Sequence, residues 1–86
     1  MTKRYQYARM TPADFGADLN ALKLTANDFA RISGARYERV EKWLRGQEDI
    51  PPHVPVLTAL LGLPGGIAKA LQVVQFYVEK EGDDAN

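Results

Sequence analysis

Apolar side chains recur through most of this 86-residue chain at intervals of three and four, the spacing of a helix with one buried face. Phe15, Leu19 and Leu22 make the first such run, Phe29, Ala30 and Ile32 the second, and Val40, Trp43 and Leu44 the third. Val54, Val56, Leu57, Leu60 and Leu61 crowd a fourth segment, which reads as a mostly buried helix ending at Gly62. A fifth helix is expected over residues 67–81, where Ile67, Leu71, Val74 and Val78 repeat at near-heptad spacing. Ala70 and Tyr77 widen that stripe, and Val73 and Phe76 flank it. The pattern predicts an all-α, compact five-helix domain.

Polar residues between the runs supply the starts and stops. Thr11-Pro12-Ala13-Asp14 combines an N-cap hydroxyl, a proline at the first helical position and an acid near the positive end of the helix dipole. Thr25 is a second N-cap candidate, because its hydroxyl can accept from an otherwise orphaned backbone N–H. Ser33-Gly34 ends the second helix, and glycine suits the left-handed backbone wanted where a helix stops and the chain turns at once. Arg45-Gly46 closes the third. Pro51-Pro52 breaks the loop over 47–52, and Leu63-Pro64-Gly65-Gly66 separates the last two helices. Residues 82–86 read as an acidic, disordered tail. Residues 1–9 form a basic, aromatic arm whose alternation fits a short strand and a disordered arm equally well. Residues 10–81 are expected to make one domain, with neither an internal repeat nor a long linker.

Composition narrows the chemistry. At 45% hydrophobic residues the chain can bury a core but has little area to spare for an elaborate pocket. It has no cysteine, which excludes disulfides and thiolate metal sites, and its single histidine, His53, has no partner ligand nearby in sequence. No nucleophile, base and orienting group suggest themselves together, and Gly65-Gly66 reads as punctuation and not as a phosphate loop. The expectation is a binding protein without catalytic residues, metal or cofactor. No apolar run reaches the length of a membrane span, and the N-terminus lacks the apolar core of a signal peptide, so the expected compartment is the cytoplasm.

The formal net charge is zero, which by itself argues against a polyanion as partner. Its distribution argues the other way. Residues 1–46 hold nine basic and five acidic side chains, a net of +4, and residues 47–86 hold two and six, a net of −4. A basic front and an acidic back suit a module that meets a polyanion on one side.

Residues 24–46, LTANDFARISGARYERVEKWLRG, spell two short helices around a tight turn. The joint pattern of Leu24-Thr25, Ala30, Gly34, Val40, Trp43 and Arg45-Gly46 resembles the helix-turn-helix of the Cro/lambda-repressor (XRE) family. Met10-Thr11-Pro12 on one flank, and Ile50-Pro51 with Leu57, Leu60 and Leu61 on the other, extend the resemblance to residues 10–63. It implies a lambda-repressor-like domain with a short N-terminal arm, binding double-stranded DNA through the third helix.

Under that resemblance Arg36, Tyr37, Glu38 and Lys42 match the family's base-reading positions. Lys42 could donate to guanine O6 and N7, Glu38 could accept from cytosine N4, and Tyr37 could meet a thymine methyl. Arg39 and Arg45 suit phosphates, where charge matters and base identity does not. Many relatives carry a phosphate-binding Gln where this chain has Ala26, so Thr25 or Asn27 would have to supply that contact. Arg36 stands where a Ser or Thr cap is common, and Glu38 and Glu41 would repel phosphate unless paired with Arg39 or Lys42 or used for cytosine readout. Trp43 is expected in the core. Lys3 and Arg4 either enter an adjacent minor groove or belong to an untethered terminus.

The broad apolar stripe of the fifth helix has more to cover than one small domain provides. Ile67, Leu71, Val74, Tyr77 and Val78 are therefore the expected dimer interface of a homodimeric regulator, most simply a repressor reading an inverted repeat. The rival reading is a protein-interaction module, an antitoxin or transcription adaptor, that uses the same helix to bind a protein partner.

Overall fold

The computed structural model describes residues 9–79, and the side chains it describes end at Tyr77. Lys3 and Arg4, the acidic tail and the Val78 side chain lie outside that range. The described chain is all-α: α1 Pro12–Leu22, α2 Ala26–Ser33, α3 Tyr37–Leu44, α4 His53–Leu61 and α5 Gly66–Val74, with α5 continued by one π-helical turn, Gln75–Glu79. The principal packing contacts run in a ring, α1 against α3, α3 against α2, α2 against α5, α5 against α4 and α4 back against α1. Among the described residues no single helix is long and apolar enough to cross a membrane.

Threonine caps start the first two helices as the sequence predicts. Thr11 Oγ1 accepts from the Asp14 N–H at 3.0 Å, with Pro12 at the first helical position. Thr25 Oγ1 accepts from the Asp28 N–H at 3.0 Å, and the Thr25 N–H donates back to Asp28 Oδ2 at 2.9 Å, a reciprocal capping box. Gly34 sits at φ 81° and its N–H donates to the Ala30 carbonyl, which closes α2 and turns the chain toward α3. The end of α1 uses a side-chain-bearing residue in the same conformation: Lys23 is at φ 62°.

The buried face of each helix meets the others at an aromatic centre. The Phe15 ring stands edge-on to Phe29 at 5.2 Å and to Trp43 at 6.1 Å between centroids. Leu19, Ala30, Val40, Ile50, Val54 and Leu61 close around them. Trp43 is buried as expected, although its Nε1 has no hydrogen-bond partner among the described residues. Thr58 is the one buried polar residue described, and its single hydroxyl proton is shared between the Pro55 carbonyl at 3.1 Å and Asp18 Oδ2 at 3.2 Å.

Two expectations need correcting. α4 is not mostly buried: Val54 and Leu61 face the core, but Val56 and Leu60 are more than half exposed. A nine-residue helix that is apolar all round carries no polar face to mark its outside, so its periodicity could not say which side is hidden. The stripe of the fifth helix is also divided. Ile67 and Ala70 pack against the core and Val74 is buried, so this part of the stripe is spent inside the domain. Beyond Val74 the π turn advances each residue by less than the roughly 100° of an α-helix. Tyr77 and Phe76 consequently face solvent, 67% and 61% exposed.

α4 and α5 meet at a corner of 114°. Gly66 makes it possible, because a Cβ there would lie 2.5 Å from the Leu60 carbonyl oxygen and 3.0 Å from that of Leu61. Both are backbone atoms of the preceding helix end, so neither can swing aside.

Candidate functional site

The structure sets α3 with Val40 and Trp43 fully buried against α1 and α2 and its opposite side open. Tyr37, Glu38, Arg39 and Lys42 are exposed on that side, Arg36 precedes them at the N-cap, and Arg45 follows at the C-cap. Six of the residues named from sequence therefore lie on one continuous surface. Tyr37, Glu38, Glu41, Lys42, Arg45 and Gln47 line a shallow groove along it. Arg36 makes no side-chain cap, as a guanidinium cannot accept from an N–H. Thr25 and Asn27 stand apart in the first turn of α2, exposed but not on α3.

Neither Glu38 nor Glu41 pairs with Arg39 or Lys42 among the described residues. Glu41 accepts from the Tyr37 hydroxyl at 2.9 Å and from Arg45 Nη2 at 3.2 Å, one turn away on either side. Arg39 and Lys42 turn instead to Glu48 in the following loop. Arg39 Nε donates to Glu48 Oε1 at 3.1 Å, and Lys42 Nζ lies 4.0 Å from Glu48 Oε2. The Arg39 guanidinium also sits 6.0 Å from the centroid of the Trp43 ring, at the outer limit of a cation–π contact. Counted with Glu48, the face carries Arg36, Arg39, Lys42 and Arg45 against Glu38, Glu41 and Glu48. It is close to neutral.

The hydrogen bond to Glu41 holds the Tyr37 phenol above its ordinary pKa, because ionising it would place two negative oxygens together. At the start of α2 the Asp28 carboxyl is held below its ordinary value, chiefly by the Thr25 N–H it accepts. That carboxylate occupies the N-terminus of α2, and the Thr25 N–H is already committed to it. The contact proposed for phosphate at Thr25 thus has only the hydroxyl to draw on, beside a fixed negative charge.

Sequence reasoning missed three participants. Glu48 and Gln47 belong to the face only because the chain reverses after α3, where the Gln47 N–H donates to the Lys42 carbonyl at 2.8 Å. No local signal marks that return. Asp28 was legible, since Thr25-Ala26-Asn27-Asp28 has the spacing of a capping box with Asp in the place of Glu. The dimer residues fare unevenly: Leu71 is half-buried, Tyr77 is exposed, and Ile67 and Val74 are turned inward.

A separate apolar surface lies on the C-terminal side. Val73, Phe76 and Tyr77 are exposed, with Lys69 and Gln72 beside them, and the Phe76 and Tyr77 rings stack edge-on at 4.8 Å. His53 faces the Trp43 ring at 6.5 Å. Among the described residues no three His, Asp or Glu side chains converge on a position that could hold a metal ion. Comparison with protein-family models, with curated proteins and with solved structures finds no match to this chain.

Proposed function

We propose that this protein is a sequence-specific, double-stranded DNA-binding regulator of transcription, acting as a homodimeric repressor. The observation that carries the reading is the open face of α3. Donors and acceptors of both signs stand on a helix whose other side is locked into the core by Val40 and Trp43. Such a helix can enter a major groove as a rigid body, and the resemblance of residues 10–63 to Cro/lambda-repressor proteins supports the same use. Glu38 and Arg36 carry the base-edge contacts most readily, because neither side chain forms a hydrogen bond or ion pair with another described residue. Two copies would present their α3 helices to successive major grooves, about 34 Å apart.

Selection from a random duplex pool, with wild type and Glu38→Ala side by side, tests the reading. Wild type is expected to enrich an inverted repeat, and Glu38→Ala to lose about 1–3 kcal/mol of discrimination at one base position per half-site. Absence of enrichment by folded wild-type protein removes the DNA reading.

A second reading has its own observation. Exposed Val73, Phe76 and Tyr77 suit a protein interface, so the chain would act as an interaction module of the antitoxin or adaptor kind. Salt separates the two. Binding to DNA should weaken with a log–log slope of roughly −0.9 per phosphate contact, whereas an apolar protein contact should hardly respond.

A further inference from the structure

Glu48 stands out because, among the described residues, it is the one acid that reaches back onto α3 from outside the helix. Its carboxylate meets Arg39 at 3.1 Å and Lys42 at 4.0 Å, and its side chain is 38% exposed. Asp49, the adjacent acid, faces away and pairs with Arg9 at 2.6 Å. Two neighbouring carboxylates in one loop thus have opposite assignments, one on the open face of α3 and one off it. Glu41 also pairs on this face, but as an i, i+4 contact within the helix to Arg45.

We infer that Glu48 is a built-in counter-anion that occupies Arg39 and Lys42 until nucleic-acid phosphate replaces it, and so sets the affinity and salt range of binding. The inference rests on the DNA reading above and names the regulation of that same face. An anion held within 4.0 Å of both cations does in the free protein what a phosphate oxygen would do in a complex. Exposed ion pairs of this kind are weak, so phosphate can displace this one without unfolding the loop. The Arg39 guanidinium also lies 6.0 Å from the Trp43 ring centroid, a weak contact that does not involve Glu48. The displaced carboxylate still stays beside the bound backbone and opposes it. Glu48 therefore limits non-specific binding, which depends on phosphate contacts alone, and leaves base readout to Arg36 and Glu38.

The test uses Glu48→Gln, which keeps the shape and removes the charge, beside wild type and Asp49→Asn, which removes the neighbouring charge off the face. Fluorescence anisotropy with a mixed-sequence duplex, between about 50 and 200 mM salt, gives affinity and slope for each, with thermal melts as a check on folding. Glu48→Gln is expected to bind about fivefold more tightly at the lower salt, with a slope steeper by about 0.9. Asp49→Asn should move neither by as much. If wild type binds and Glu48→Gln binds equally or more weakly, the counter-anion role is overturned while the DNA reading survives. Equal gains from both variants would reduce the effect to net charge and overturn the assignment to Glu48. If none of the three binds duplex at the lowest salt, both readings fail together.

Discussion

Residues 12–46 hide every large apolar side chain at least in part except Tyr37 and present charge, whereas residues 53–77 leave Val56, Leu60, Leu63, Val73, Phe76 and Tyr77 exposed. The helix starts differ in the same sense. α1 and α2 are capped by threonine side chains, while α4 and α5 begin at Pro52 and Gly65 with no side-chain cap. In the first half α1 and α2 carry their own start signals, and α3, which has no side-chain cap, is set by the turn at Gly34 just before it. The second half takes its shape from what it leans on, α4 on α1 and α5 on α2. On the proposed function the division is also one of labour, with polar recognition in front and apolar contact behind.

If the second half depends on the first, damage to the shared centre should remove both. Phe15 touches the Phe29 and Trp43 rings and is fully buried. Phe15→Ala is expected to cost about 4 kcal/mol, a large part of the roughly 5–15 kcal/mol that holds a small domain folded. Denaturant unfolding followed by circular dichroism and by Trp43 fluorescence should give one coincident, lowered midpoint. Separate midpoints would show that the halves fold independently, against the comparison.

The reverse experiment damages only the corner. Gly66→Ala sets a methyl group 2.5 Å from the Leu60 carbonyl oxygen, and relief requires α5 to shift away from α4. The expected loss is about 1–3 kcal/mol, as for other overpacked sites. Amide exchange should show α5 losing protection first, with α1 to α3 close to wild type. Uniform loss across all five helices would make the molecule a single cooperative unit.

The same division governs what could be read from the sequence. Thr11, Thr25 and Gly34 act within four residues of their own positions, and Phe15, Leu19, Val40 and Trp43 follow a helical period, so the first three helices were legible. The exposure of Val56 and Leu60 was not, because α4 has no polar face to orient it. The π turn after Val74 carries no compositional mark and rotates Tyr77 off the stripe that spacing assigns it. In the candidate site the α3 residues followed from the turn before them, but the pairing of Arg39 and Lys42 with Glu48 depends on a loop returning to the helix.

Within the first half, the end of α1 is a second exception to local specification, beside the uncapped start of α3. Lys23 adopts φ 62° although no glycine stands there. The Lys23 N–H donates to the Asn20 carbonyl and the Leu24 N–H to that of Leu19, so the turn is held by its hydrogen bonds despite the strain. Left-handed backbone costs a side-chain-bearing residue about 1–2 kcal/mol. Glycine escapes this but loses more chain entropy on folding, roughly 0.5–1 kcal/mol. Lys23→Gly should therefore raise stability by about 0.5–1 kcal/mol in chemical denaturation. A loss would mean that the lysine side chain contributes something its exposed position does not suggest.

The finest test separates the α2 cap from everything else by titration. Asp28 is held below its ordinary pKa because the folded chain offers its carboxylate the Thr25 N–H, which the unfolded chain does not. A depressed value means that folding favours the ionised form. The contribution is therefore present above the unfolded value, near 3.8, and is lost as the pH falls through the folded one. Tyr37 behaves in the opposite sense. Its pKa is raised by Glu41, so its contribution holds below the ordinary tyrosine value and disappears as the pH rises through the folded value. Asp28→Asn removes the titrating group but keeps an acceptor in place. Melting temperatures of wild type and Asp28→Asn should differ at neutral pH and converge as the pH falls from about 3.8 through the folded Asp28 value. Amides in the first turn of α2 should lose protection in wild type, relative to their intrinsic exchange rates, over the same interval. A gap that persisted at low pH would assign the stabilisation to side-chain shape and not to the carboxylate charge, and the cap would no longer distinguish the first half from the second electrostatically.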